Sequence, residues 1–132
     1  MDTPTGNSGN VLRWLPWIIA VSVAILGFIS GAYYFTLKFH VAFAEDQVSI
    51  FEQMVTSSNG ASDPHRITGF LAYVVNYYPS GSKQIKDTPL DRIVETSRSN
   101  AIAKIVIRLK NVTGKGLGDD PQKWMTEYPP SN

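Results

Sequence analysis

Residues 14–37 read WLPWIIAVSVAILGFISGAYYFTL, with Arg13 before them and Lys38 after. The run holds no charged residue. A helix rises about 1.5 Å per residue, so the run can cross a hydrocarbon core of roughly 30 Å. It is expected to form a single transmembrane helix. The rival is a secretory signal peptide, whose apolar region spans about 7–15 residues and closes on a small-residue cleavage site. This run is longer. Tyr33, Tyr34, Phe35 and Phe39 crowd its far end, and Trp14 and Trp17 stand at the near end. Aromatic residues at both ends form the belts of a membrane–water interface, which favours an uncleaved anchor.

Pro16 is expected in the first turn, where its missing N–H costs nothing. Ala20, Ala24, Gly27 and Gly31 recur at four- and three-residue steps and share one face. Gly27 and Gly31 make a G-x-x-x-G pair, which lets two helix backbones approach closely in lipid. These four are the candidate helix-packing residues. Small residues are also common in membrane helices, so the pair has a bland explanation. No Asp, Glu, Lys, Arg or His lies inside the run. Such groups mark proton relays and ion paths, so a lone span without them argues against a transporter or channel by itself.

Outward from this run, the chain divides by composition. Residues 1–12 are polar and rich in Gly, Ser and Thr, and are expected to be disordered. Residues 13–38 are the span. Residues 39–128 are left for one small helical domain, and 129–132 for a tail. The net charge of +1 argues against nucleic acid as a partner. Of twelve Lys and Arg residues only Arg13 precedes Lys38, and of eleven Asp and Glu only Asp2 does, so the domain is balanced. The chain has no cysteine, which removes disulfides, thiolate catalysis and thiolate metal sites. Arg13 and Lys38 hardly discriminate the two sides of a membrane. A short N-terminus on the cytoplasmic side is the preferred orientation. Asn111-Val112-Thr113 is a glycosylation triplet at an expected helix end.

Residues 38–57 lack Gly and Pro. The span is expected to continue through them as an amphipathic helix, with Phe39, Ala42, Phe43, Asp46, Ile50, Phe51 and Met54 on one stripe. Residues 58–61 read as a loop. Three cap-plus-proline signals follow: Ser62-Asp63-Pro64, Thr88-Pro89 and Asp120-Pro121. Each places an N-cap oxygen before a first-turn proline. They predict helices over 64–78, 89–111 and 121–128, with Asp63, Thr88 and Asp120 as structural caps. Gly69 weakens the first of these or allows close packing. In the second, Leu90, Ile93, Val94, Ser97, Ala101, Ile105, Leu109 and Val112 form the expected core face. Arg92, Glu95, Arg98, Lys104, Arg108 and Lys110 are expected to be solvated. Gly114 is expected as its left-handed stop, and Trp124 as the plug of the bundle. The expected fold class is therefore all-α: one N-terminal transmembrane helix extended into a small soluble helical bundle.

The segment 90–128 resembles the terminal segments of bacterial HEAT-repeat-like helical modules, in small single-pass membrane proteins. There a long amphipathic helix leads into a T-G-x-x-L/F-G-x-D-P-x-x-W pattern. Thr113, Gly114, Leu117, Gly118, Asp120, Pro121 and Trp124 match it here. The resemblance covers about a third of the chain and implies helical packing and protein contact rather than catalysis. A HEAT solenoid stacks several helix pairs, whereas this chain has room for about two, so only a capping unit is implied.

No catalytic constellation is visible. His40 and His65 have no second ligand at metal spacing. The stretch around Asp119-Asp120 lacks the alternating ligands of a calcium loop. Gly114 to Gly118 lacks the strand and the Lys-Ser/Thr ending of a phosphate loop. No catalytic, cofactor or metal residue is expected, and the chain is not expected to be an enzyme. The expected role is a membrane-anchored protein-interaction or assembly module near the bilayer. The alternative is a small integral subunit of a large membrane complex, packed through its span. The expected partners are the lipid bilayer, other membrane or membrane-proximal proteins and a second copy of the chain. Tyr77 and Tyr78 are the candidate interaction surface, expected to be exposed.

Overall fold

The computed structural model describes residues 9–131, with side chains from residue 13 onward. Of residues 1–12, expected to be disordered, 1–8 lie outside the described residues and 9–12 belong instead to the first helix, which starts at Gly9. Four helices occur in order: α1 Gly9–Gly60, α2 Pro64–Asn76, α3 Pro89–Thr113 and α4 Pro121–Glu127. No strand occurs among the described residues. Contacts divide the chain into two units, Met1–Lys38 and Phe39–Asn132.

The first unit is the leading part of α1. Its apolar run makes α1 long and apolar enough to cross a membrane. Every residue from 13 to 39 is exposed. Pro16 is not in the first turn: α1 already starts at Gly9, which puts Pro16 inside the helix. Val11 and Leu12 extend the apolar run toward the N-terminus, and nothing between Gly9 and Pro16 stops a helix. The Thr36 hydroxyl donates to the Ala32 carbonyl at 2.9 Å, which satisfies it within its own helix. The Lys38 ammonium lies 5.0 Å from the centre of the Tyr34 ring.

The second unit is a bundle of the rest of α1 with α2, α3 and α4. Its core joins Ala44 and Phe51 of α1, Ile67, Leu71 and Val74 of α2, Val94, Ala101, Ile105, Val106 and Leu109 of α3, and Trp124 of α4. In α1 the buried face is Ala44, Gln47, Phe51 and Ser58, three or four residues or a multiple of a turn apart. The expected stripe is therefore corrected: Ala42, Phe43 and Asp46 are exposed, and Gln47 is buried. The expected loop at 58–61 is also corrected, because α1 runs to Gly60. The Ser58 hydroxyl donates to the Val55 carbonyl at 2.7 Å. Bonded to its own helix, Ser58 can be buried without ending it.

α2 starts at its cap, Asp63, whose carboxylate accepts from the His65 N–H at 3.2 Å. It ends at Asn76 rather than Tyr78, with Tyr77 extended and Tyr78 at φ +33°. Pro79 disfavours the helical conformation in the residue before it. α3 starts at Thr88, whose hydroxyl oxygen accepts from the Asp91 N–H at 3.3 Å. It ends at Gly114, left-handed at φ +68°, whose N–H donates to the Lys110 carbonyl at 2.9 Å. Only glycine takes that conformation without cost. α4 starts at Asp120, which accepts from the Gln122 N–H at 2.9 Å. Trp124 is fully buried, and its indole N–H donates to the Gly118 carbonyl at 2.9 Å.

On α3 the buried face differs from the expected one. Ile93 is 57% exposed, whereas Asp91 and Arg98 are buried. The physical reason is hydrogen bonding: both ionic groups find several partners inside, and Ile93 lies off the face that carries Val94, Ala101, Ile105 and Leu109.

Candidate interaction surfaces

Two buried charges on α3 set the shape of the domain surface between α2 and α3. Asp91 and Arg98 are seven residues apart, so they lie on one face, two turns from each other. The Arg98 guanidinium donates to the carbonyls of Val74 (3.4 Å), Val75 (3.3 Å) and Tyr78. These are orphan carbonyls at and just past the end of α2, where a positive charge is favoured. Its Nε lies 3.4 Å from Glu95 Oε1, an ion pair without hydrogen-bond alignment. The guanidinium also lies 5.2 Å from the centre of the Phe51 ring.

Asp91 gathers the loop 77–88. Its carboxylate accepts from the Ser80 hydroxyl (2.7 Å), the Gly81 N–H (3.3 Å) and the Asp87 N–H (3.0 Å). The Ser80 hydrogen bond holds its pKa below the ordinary carboxylate value. Burial opposes that shift, and the Asp87 and Gly81 amides and the Lys86 charge add to it. Sequence pattern missed both residues. The available signal was their seven-residue spacing on either side of Val94, in register with Ala101 and Ile105.

An aromatic cluster forms where α2 ends. Tyr73 stacks on Tyr77, with centroids 5.1 Å apart, and Tyr77 meets Tyr78 edge-on at 4.7 Å. Tyr78 is 43% exposed. Tyr77 is not exposed as expected: it is half-buried and packs edge-on against Phe51. Burial raises the Tyr77 pKa, with smaller contributions from Tyr73, Asp46 and Tyr78. The reason is its place: just past the end of α2, it turns back onto α1.

A groove of about 510 Å³ runs between α1 and α3. Phe51, Val55, Ile93 and Ala101 supply its apolar lining, and Glu52 and Lys104 bring opposite charges. A second hollow of about 480 Å³ includes Ile102, Val106 and Ile107 of α3 and Pro121 of α4. The candidate packing residues Ala20, Ala24, Gly27 and Gly31 lie in the first unit, all exposed. A Cβ added to Gly27 or Gly31 would meet nothing within 4 Å.

The histidines serve backbone. His40 Nδ1–H donates to the Lys83 carbonyl at 3.0 Å, and His65 Nδ1–H to the Pro129 carbonyl at 2.8 Å. Among the described residues, His, Asp and Glu do not gather in threes that could hold a metal ion. The remaining ion pairs are exposed. Lys110 Nζ lies 2.7 Å from Asp119, whose pKa that hydrogen bond lowers, and Lys115 pairs with Glu127, which raises the Lys115 pKa. Exposed pairs of this kind contribute little to stability. Comparison of the chain with protein-family models, curated proteins and solved structures returns no match.

Proposed function

We propose that the chain is a single-pass membrane protein whose folded unit binds another protein close to the bilayer. One observation carries this reading. The uncharged segment 14–37 is exposed throughout, while the chain's own core begins only at Ala44. So large an apolar surface needs a cover, and its length fits a bilayer. The partner contact is assigned to the groove between α1 and α3. From Ile93 to Lys104 it follows about three turns of α3, which suits an amphipathic helix laid lengthwise. Apolar residues on one face of that helix would meet Ile93 and Val55, and its charges would pair with Glu52 and Lys104. The reading is of a binding module rather than an enzyme. Packing of the span itself into a large complex, through the Gly27 and Gly31 face, is the competing role.

The test is site-specific photo-crosslinking in native membranes. A crosslinking residue replaces Ile93, Gly31 or, as control, Lys123. Recovery in the alkali-resistant membrane fraction, with a discrete adduct from position 93 and none from 123, is the expected result. An adduct from position 31 alone would transfer the role to the span. Recovery in the soluble fraction would remove the membrane anchor.

A further inference from the structure

The loop 77–88 is built inside out. Gln84 is buried, and its amide nitrogen has no hydrogen-bond partner. Its neighbour Ile85 is 67% exposed, the most exposed large apolar side chain of the Phe39–Asn132 unit. In water both placements are unfavourable. The loop is nevertheless held in that arrangement. Asp91 ties down Ser80, Gly81 and Asp87. The Ile85 carbonyl accepts from the Thr88 hydroxyl at 2.7 Å and from its N–H at 3.3 Å. His40 holds the Lys83 carbonyl.

That last bond places the loop. His40 stands three residues after Leu37, the end of the apolar run. Even fully extended, three residues span about 10 Å. The loop is therefore bonded to a residue that follows the apolar run by three positions in the chain. Beside it, the Lys83 ammonium lies 4.2 Å from the Tyr78 ring centre and 4.8 Å from that of Phe43. Both rings are partly exposed. Aromatic rings with long cationic side chains are what a membrane interface favours. The charges brought to the loop are mixed: Lys83, Lys86 and Arg92 stand against Asp46 and Asp87, with Asp91 buried. Attraction to anionic lipid is thus not the driving force.

We propose that the loop 77–88 is a bilayer contact that seats Ile85 in the interfacial layer of the membrane α1 enters. This rests on the membrane-anchor reading above. Insertion turns the exposed Ile85 from a cost into a gain, and Lys83 and Lys86 on either side reach the headgroups. The loop then restrains the domain at the bilayer by a second point besides the helix.

The chain has no cysteine, so single labels can be placed on the full-length protein. The variants Ile85→Cys, Ile107→Cys and Ile25→Cys each receive an environment-sensitive fluorophore. Each is reconstituted in phosphatidylcholine vesicles, with or without phosphatidylglycerol, that carry nitroxide lipids at shallow or deep positions. Ile107 is also exposed, about 28 Å along α3 from Thr88. The expected result is blue-shifted emission at position 85 and quenching there by shallow nitroxide, in both lipid compositions. Position 107 stays unquenched, and position 25 is quenched by deep nitroxide. Quenching at 25 with position 85 behaving like 107 would overturn the loop contact and leave the anchor standing. No quenching at 25 would remove the anchor, and the loop contact with it. Quenching at 85 only with phosphatidylglycerol would overturn insertion as the mode of contact.

Discussion

Asp91 is a buried carboxylate with three donors from a loop four to eleven residues before it. Hydrogen bonds to a charged acceptor are worth more than neutral ones. The carboxylate therefore organises loop 77–88 only while it is ionised. Its folded pKa is depressed, chiefly by the Ser80 hydroxyl. Below its ordinary value the unfolded chain binds a proton that the folded chain does not. Stability from this group is thus fully present at neutral pH and is lost as pH falls through the depressed folded pKa. Asp91→Asn should lower stability at neutral pH by about 2 kcal/mol. It should also flatten the fall in melting temperature on acidification below the ordinary carboxylate range. Thermal melts followed by far-UV circular dichroism across an acid series check both. A variant that keeps the wild-type acid slope would assign that slope to other carboxylates.

α3 caps α2 by means of one side chain. Arg98 takes three carbonyls at the end of α2, where Tyr77 and Tyr78, and no Gly or Asn stop, follow Asn76. Arg98→Ala should cost about 3 kcal/mol, since it leaves buried carbonyls unpaired and a void beside Phe51. Arg98→Lys should restore little, because a single ammonium cannot fork to carbonyls of Val74, Val75 and Tyr78 together. Denaturant unfolding of the three proteins checks the ranking. The same residue shows where sequence reading stopped. The starts of α2, α3 and α4 were legible because a cap oxygen and a proline act within one turn. Which face of α3 is buried was only half legible. Val94, Ala101, Ile105 and Leu109 carry their own pattern. Asp91 and Arg98 are polar by type, and their burial depends on partners up to 24 positions away. The same holds for Gln47, which lies off the expected apolar stripe and is buried. The groove between α1 and α3 was not legible, because it depends on how two helices pack and not on either alone.

At the scale of the molecule, the two units differ in what they need from outside. The second unit contains all of its own core, from Ala44 to Trp124. Its three cap residues, Asp63, Thr88 and Asp120, also lie within it, as does the Gly114 stop. A chain that starts at Lys38 should therefore fold without the apolar run. At about 0.05–0.15 kcal/mol per residue, its stability should be roughly 5–14 kcal/mol. Far-UV circular dichroism should show a helical protein with one cooperative melt, and sedimentation should show a monomer at micromolar concentration. Ile85, Ile93 and Ile107 remain exposed on it, but three side chains are far less apolar surface than the uncovered run of residues 14–37 that the cut removes. The competing role predicts otherwise. A subunit whose domain is completed by neighbours would lose its fold or aggregate when cut from the span, because a core this small tolerates little exposed apolar surface. A cooperative monomer would thus favour a tethered module that meets its partner already folded. A molten or aggregated product would place the missing part of its core in another protein.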